Sequence, residues 1–119
     1  MTRKDLQMFP KSLEKAFREY PLYSQDGMGG YAHVVAKWFC PWGAGTWLAT
    51  EGSPTPDGDW EFFGLVNLGW GWEFGYFTLS QLKSVEGPFG LWIERDSHLR
   101  GDETLRELAD GMDWRPYDD

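Results

Sequence analysis

The sequence predicts an α+β domain: one curved antiparallel β-sheet of four to five strands with two to three short α-helices packed on it. Three observations carry that expectation. Apolar and aromatic residues alternate through the middle of the chain. Glycine- and proline-rich turns cut the alternation into short runs, and helical spacing is confined to three short segments. A chain of 119 residues without a linker has room for one core, so 1–119 is read as a single domain.

Leu13, Ala16, Phe17 and Tyr20 recur at helical intervals between charged residues. They predict a helix over 11–20 with Ser12 as its cap and Pro21 at its end. Residues 1–10, set apart by Pro10, are expected as a flexible N-terminal arm. Pro-Leu-Tyr-Ser-Gln-Asp-Gly-Met-Gly-Gly, 21–30, is rich in breakers and reads as a loop. Strand propensity dominates 31–40, where Ala32, Val34, Ala36, Trp38 and Cys40 face opposite to Tyr31, His33, Val35, Lys37 and Phe39. Further strands are expected at 46–51, 60–67 and 73–77, joined by an Asp57-Gly58 reversal and by a Gly/Trp turn over 68–72. Short turns between close strands favour an antiparallel meander over parallel crossovers. Thr78 then caps a helix over 78–85, which Gly87-Pro88 stops; a short strand follows at 91–94. A last helix is predicted over 104–112, capped by Asp102, and 113–119 reads as a frayed tail.

Composition bounds the function. Eight Trp, eight Phe and five Tyr supply bulk for a thin sheet, and the Trp and Tyr rings also suit interfaces. The net charge is −8 and uneven: residues 1–20 hold five basic side chains against three acidic ones, whereas no basic residue falls between Lys37 and Lys83. That acidic middle opposes direct nucleic-acid binding and suits either a basic partner or mere solubility. Glu51, Asp57, Asp59, Glu61 and Glu73, with Trp70 and Trp72 as anchors, are the candidate partner-binding residues. A single cysteine, Cys40, allows no internal disulfide, and no apolar leader or membrane-length stretch is present, so a cytoplasmic protein without membrane contact is expected.

Catalytic signatures are missing. No phosphate-binding glycine loop occurs, His33 and His98 stand far apart, and no serine sits in a nucleophile elbow. No catalytic residue, metal or cofactor is therefore assigned. Glu94, Arg95 and Asp96 are expected to form an ion-pair cluster at a strand end, with Lys37 as a candidate partner for Glu51 or Glu73. The same acids beside aromatic rings leave a second reading open. Glu51, Glu73, Glu94 and Asp96 could work in an aromatic-lined cleft as a small enzyme or small-molecule binder.

Lys37-Trp-Phe-Cys-Pro41, Thr46-Trp-Leu-Ala-Thr-Glu51, Phe62-Phe-Gly-Leu-Val66, Glu73-Phe-Gly-Tyr-Phe-Thr-Leu79 and Gly90-Leu-Trp-Ile-Glu-Arg-Asp96 follow one another in a recognisable order, with Leu22-Tyr-Ser-Gln-Asp-Gly27 before them. In these motifs the chain resembles a bacterial family catalogued as domain of unknown function 2958, over roughly residues 13–110. The resemblance implies cargo of plasmids, integrative elements and phages, and it carries over no activity and no catalytic residue. The chain departs from the pattern in its extension before Leu13 and its extra tryptophans near 70–72. The function expected on these grounds is a small acidic, non-enzymatic protein-binding protein of mobile-element type. It would act as an anti-CRISPR or anti-restriction inhibitor, its carboxylates lying where phosphates would in the groove of a basic host or defence protein.

Overall fold

Strand pairing follows the alternation in the sequence. β1 (Ala36–Phe39), β2 (Thr46–Pro54), β3 (Trp60–Asn67), β4 (Trp72–Thr78) and β5 (Glu94–Arg95) form one antiparallel sheet in the order β4-β3-β2-β1-β5. They are seen in a computed structural model that describes residues 2–112 and 114. Four short helices accompany the sheet: α1 (Arg3–Met8), α2 (Lys11–Arg18), α3 (Leu79–Ser84) and α4 (Leu105–Leu108). This is the α+β architecture expected, with one helix more than predicted. Between Ala49 and Glu51 the β2–β3 register slips, and such a bulge bends a strand and adds to the curl of the sheet.

Period-two alternation gives the sheet two unlike faces. On one, Trp38, Trp47, Trp60, Phe62 and Phe77 pack under Met8 of α1, Leu13 and Phe17 of α2, and Leu79 and Leu82 of α3. The Phe62 ring sits 5.0 Å from both Trp38 and Phe17, and the Trp38 indole donates to the Met8 carbonyl at 2.9 Å, so its polar atom is satisfied inside the core. Gly52 lies beneath these rings, where a β-carbon would fall 2.6 Å from Phe62. The other face is only partly covered. Leu48 and Leu65 meet Ala32, Val34, Leu105 and Ala109, leaving the β3–β4 side of that face open.

Several boundaries differ from expectation. Residues 1–10 are not an arm: Thr2 and Asp5 form a capping box that starts α1, and Met8 is fully buried. Lys4 donates to the Lys83 carbonyl at 2.6 Å, and the Gln7 side-chain amide exchanges two hydrogen bonds with the backbone of Arg95. An ion pair of 2.8 Å joins Asp5 to Lys83, and the hydrogen bonds from Lys83 and Thr2 hold the Asp5 carboxyl well below the usual carboxylate range. Pro10, not Ser12, caps α2. Of the predicted strand 31–40 only 36–39 pairs with β2, after a 3-10 turn at Gly29–Tyr31, yet Ala32, Val34, Ala36, Trp38 and Cys40 are all buried. Of the predicted strand at 91–94 only Glu94 pairs with β1, and Arg95 continues the pairing. The last helix is a single turn capped by Thr104, and Asp102 pairs with Arg100 instead. Apart from Trp114, the predicted tail 113–119 lies outside the described residues.

Candidate functional site

A recess opens on the less covered face, and its construction begins at the β2 bulge. Glu51 follows the slip in register and is 2% exposed. Its two carboxylate oxygens accept the backbone N–H groups of Tyr23 at 2.7 Å and Gln25 at 2.9 Å. The Gln25 amide then donates to the carbonyls of His33 and Thr50, both at 2.8 Å, and accepts from the His33 N–H at 2.7 Å. These bonds pin the 21–31 loop over the sheet. The loop bends sharply to do so, with Tyr23 at φ 75° and Gly27 at φ 80°, a left-handed conformation that Gly27 adopts without a steric penalty.

Between loop and sheet lies a space of about 340 Å³ lined by Gln25, Asp26, Gly27, Gly29, Thr50, Glu51, Phe63 and Phe74, with Ala32 and Leu105 at its base. Phe63 and Phe74 stack at 5.8 Å with their planes 10° apart, and Tyr76 leans on Phe63 at 4.9 Å. Phe74 lines the recess, Tyr76 and Tyr23 stand beside it, and each is roughly half exposed, as is Tyr31. Partial desolvation, the neighbouring Tyr23 hydroxyl and the negative charge of Asp26 and Glu51 push the Tyr76 phenol above its ordinary value. Among the described residues no lysine or arginine comes within ion-pair distance of Asp26 or Glu51. Arg106 stacks over the Tyr31 ring at 5.1 Å.

The residues singled out in the sequence scatter. Glu51 lines the recess rather than the outer surface. Asp57 accepts from the Thr55 hydroxyl in the β2–β3 turn. Asp59 accepts from Trp60 and Ser80 and so fixes the start of α3; partial desolvation opposes its ionisation, and these hydrogen bonds outweigh it, lowering its titration. Glu61 and Glu73 stand opposite Thr78 and Val66, at the two ends of the β3–β4 ladder and on opposite faces of the sheet. Trp70 is 90% exposed in the β3–β4 turn, whereas the Trp72 indole donates to the Asp110 carbonyl at 2.7 Å and anchors the segment after α4. Lys37 pairs with Asp96 at 3.7 Å, not with Glu51 or Glu73. Arg95 donates to the Gln7 carbonyl, and Glu94 stands opposite Phe39, so these residues join β5 to β1 and α1.

Sequence reasoning overlooked Tyr23, Gln25, Asp26, Phe63, Phe74 and Tyr76. One signal was available: β3 and β4 carry aromatic residues on both faces, more than a single one-sided core can use. Glu103 forms a second carboxylate-centred turn, accepting from Arg100 at 2.6 Å and Gly101 at 2.9 Å, and the Arg100 amide foremost holds it below its ordinary titration range. Among the described residues no group of three His, Cys, Asp or Glu side chains could hold a metal ion, and no helix is long and apolar enough to cross a membrane. Burial pushes the Cys40 thiol up, away from the reactive thiolate.

Fold and recess together define a small α+β protein with one face of its sheet sealed and the other partly open. The chain belongs to the family described as "Protein of unknown function (DUF2958)", whose model matches residues 11–113. The matched region takes in every residue that lines the recess. No curated protein and no solved structure matches the chain.

Proposed function

We propose that the protein acts by binding a basic partner protein, without chemistry of its own, and that the partner docks on the open face of the sheet around the recess. One observation carries this reading. Tyr23, Phe74 and Tyr76 remain exposed near Asp26 and Glu51, two acids that no cation neutralises within ion-pair distance among the described residues. Clustered exposed aromatics mark interaction surfaces, and an unneutralised acidic centre favours a partner of opposite charge. The specific form of the reading is a cytoplasmic anti-restriction or anti-CRISPR inhibitor of mobile-element type, docking on a nucleic-acid-binding defence protein. Mimicry of a phosphate row along the whole sheet finds less support, because Glu61 and Glu73 point to opposite faces.

Capture from host lysate on the immobilised protein, compared with a Phe74→Ala/Tyr76→Ala variant, tests it. A basic nucleic-acid-binding protein should be held by the wild type, released as salt rises and missing from the variant. Identical retention by both would sink the proposal. A small-molecule binder or small enzyme is a second reading, favoured by a recess volume at the lower end of ligand pockets. Thermal stabilisation by an uncharged small ligand, abolished in Phe74→Ala, would favour it over the first.

A further inference from the structure

We propose that the recess is a socket for one arginine side chain of the partner, with Glu51 and Asp26 facing the guanidinium and Phe63 and Phe74 forming the wall on which it stacks. This rests on the basic-partner reading and gives it an anchor. A carboxylate with 2% exposure is normally paired with a cation, because desolvating a lone negative charge is costly. Glu51 is held by two backbone N–H groups, which offset part of that cost and fix its orientation. An ionised carboxylate has about four acceptor positions, so about two remain, and Glu51 borders the recess. Asp26 adds a second negative charge on the loop side. Phe63 and Phe74 stack nearly parallel and both line the recess, with Phe74 exposed toward solvent.

Arginine fits this combination better than lysine. Its guanidinium is planar, stacks on aromatic faces and donates several hydrogen bonds in a fork suited to carboxylates. Being weakly hydrated, it also enters a half-enclosed apolar space at lower cost than an ammonium group. The apolar stem of the side chain would lie along Phe74 while the charged end reaches Glu51.

The test uses capped Gly-Arg-Gly peptide, its lysine and citrulline counterparts, and a longer peptide with several arginines, each titrated into the full chain and followed by amide chemical shifts. The arginine tripeptide should shift Tyr23, Gln25 and Thr50, whereas the neutral citrulline tripeptide at the same concentration should leave them in place. Asp26→Asn and Phe74→Ala keep the hydrogen bonds from Tyr23 and Gln25 to Glu51, and each should weaken arginine binding about fivefold or more. Equal shifts from arginine and citrulline, equal affinity for lysine, or binding indifferent to both substitutions would overturn the socket. Should the tripeptide shift nothing while the longer peptide binds the open face elsewhere, the socket falls and the basic-partner reading stands. If neither peptide binds, both fall.

Discussion

The two faces of this sheet are built from the same alternating strands and end in opposite conditions. On the sealed face, rings from β1, β2, β3 and β4 meet three helices and become fully or nearly fully buried. On the other face, Ala32, Val34 and α4 cover Leu48 of β2 and Leu65 of β3, while Phe74 and Tyr76 of β4 stay in solvent. Aromatic content alone therefore says little about stability in this protein. A ring on the sealed face is core; its neighbour one residue along the strand is surface. That contrast can be broken or sharpened by substitutions that differ only in which face they touch.

The largest effect belongs at the centre of the sealed face. Phe62 is fully buried and packed against Phe17, Trp38 and Phe77, so Phe62→Ala should cost about 3–5 kcal/mol, measured as a lower midpoint in urea unfolding. A loss below about 1 kcal/mol would mean that the face is loosely packed. Gly64 comes next. A β-carbon there would fall 1.8 Å from the Leu48 carbonyl oxygen, so Gly64→Ala must push β2 and β3 apart, at a cost of about 3 kcal/mol. The N-terminal helix supplies the third test. Met8→Ala removes a fully buried side chain from α1 and should cost about 2 kcal/mol or more, whereas a mobile arm would register no change.

Met8 also shows where the sequence was legible and where it was not. The meander, its turns and its inward residues follow from period-two alternation, which holds across Ala32 to Cys40 even where strand pairing lapses. α1 did not show itself, because six residues before a proline are too few to establish a helical period. Its capping box at Thr2 and Asp5 was a local signal that went unused. Glu51 was visible as an acid at a strand end, but its burial depends on a bulge and on a loop more than 20 residues earlier in the chain, which no local pattern encodes. The recess was illegible for the same reason. Its polar half comes from the loop and its aromatic wall from β3 and β4, and only the tertiary fold joins them.

On the open face the predicted effects shrink. Phe74→Ala should change stability by less than about 1 kcal/mol, since the ring remains 45% exposed and its main neighbour is Phe63. The same substitution should weaken partner capture, so stability and binding separate at this residue and not at Phe62. A Phe74→Ala variant as unstable as Phe62→Ala would erase the distinction between the faces.

The smallest effect concerns pH, and it too divides by region. Asp5 ties α1 to α3 beside the sealed face, whereas Glu103 shapes the turn before α4 beneath the open one. Both carboxyls titrate lower in the folded protein than in the unfolded chain. The unfolded state therefore takes up protons first as the solution is acidified. The stability each group contributes is complete above the unfolded carboxylate range, about pH 4, and is lost as pH falls through that range toward the folded value. Their causes differ. Asp5 depends foremost on Lys83 in a partly exposed ion pair, which salt screens, whereas Glu103 depends foremost on the backbone N–H of Arg100, which salt barely affects. Asp5→Asn should accordingly flatten the acid slope of stability at low ionic strength and make little difference in high salt. Glu103→Gln should flatten it in both, as read from urea midpoints between about pH 5 and pH 2. If high salt cancelled the two effects equally, Glu103 would be held by long-range charge rather than by the turn, and the account of how a buried carboxylate organises a loop, at Glu103 and at Glu51 alike, would have to be given up.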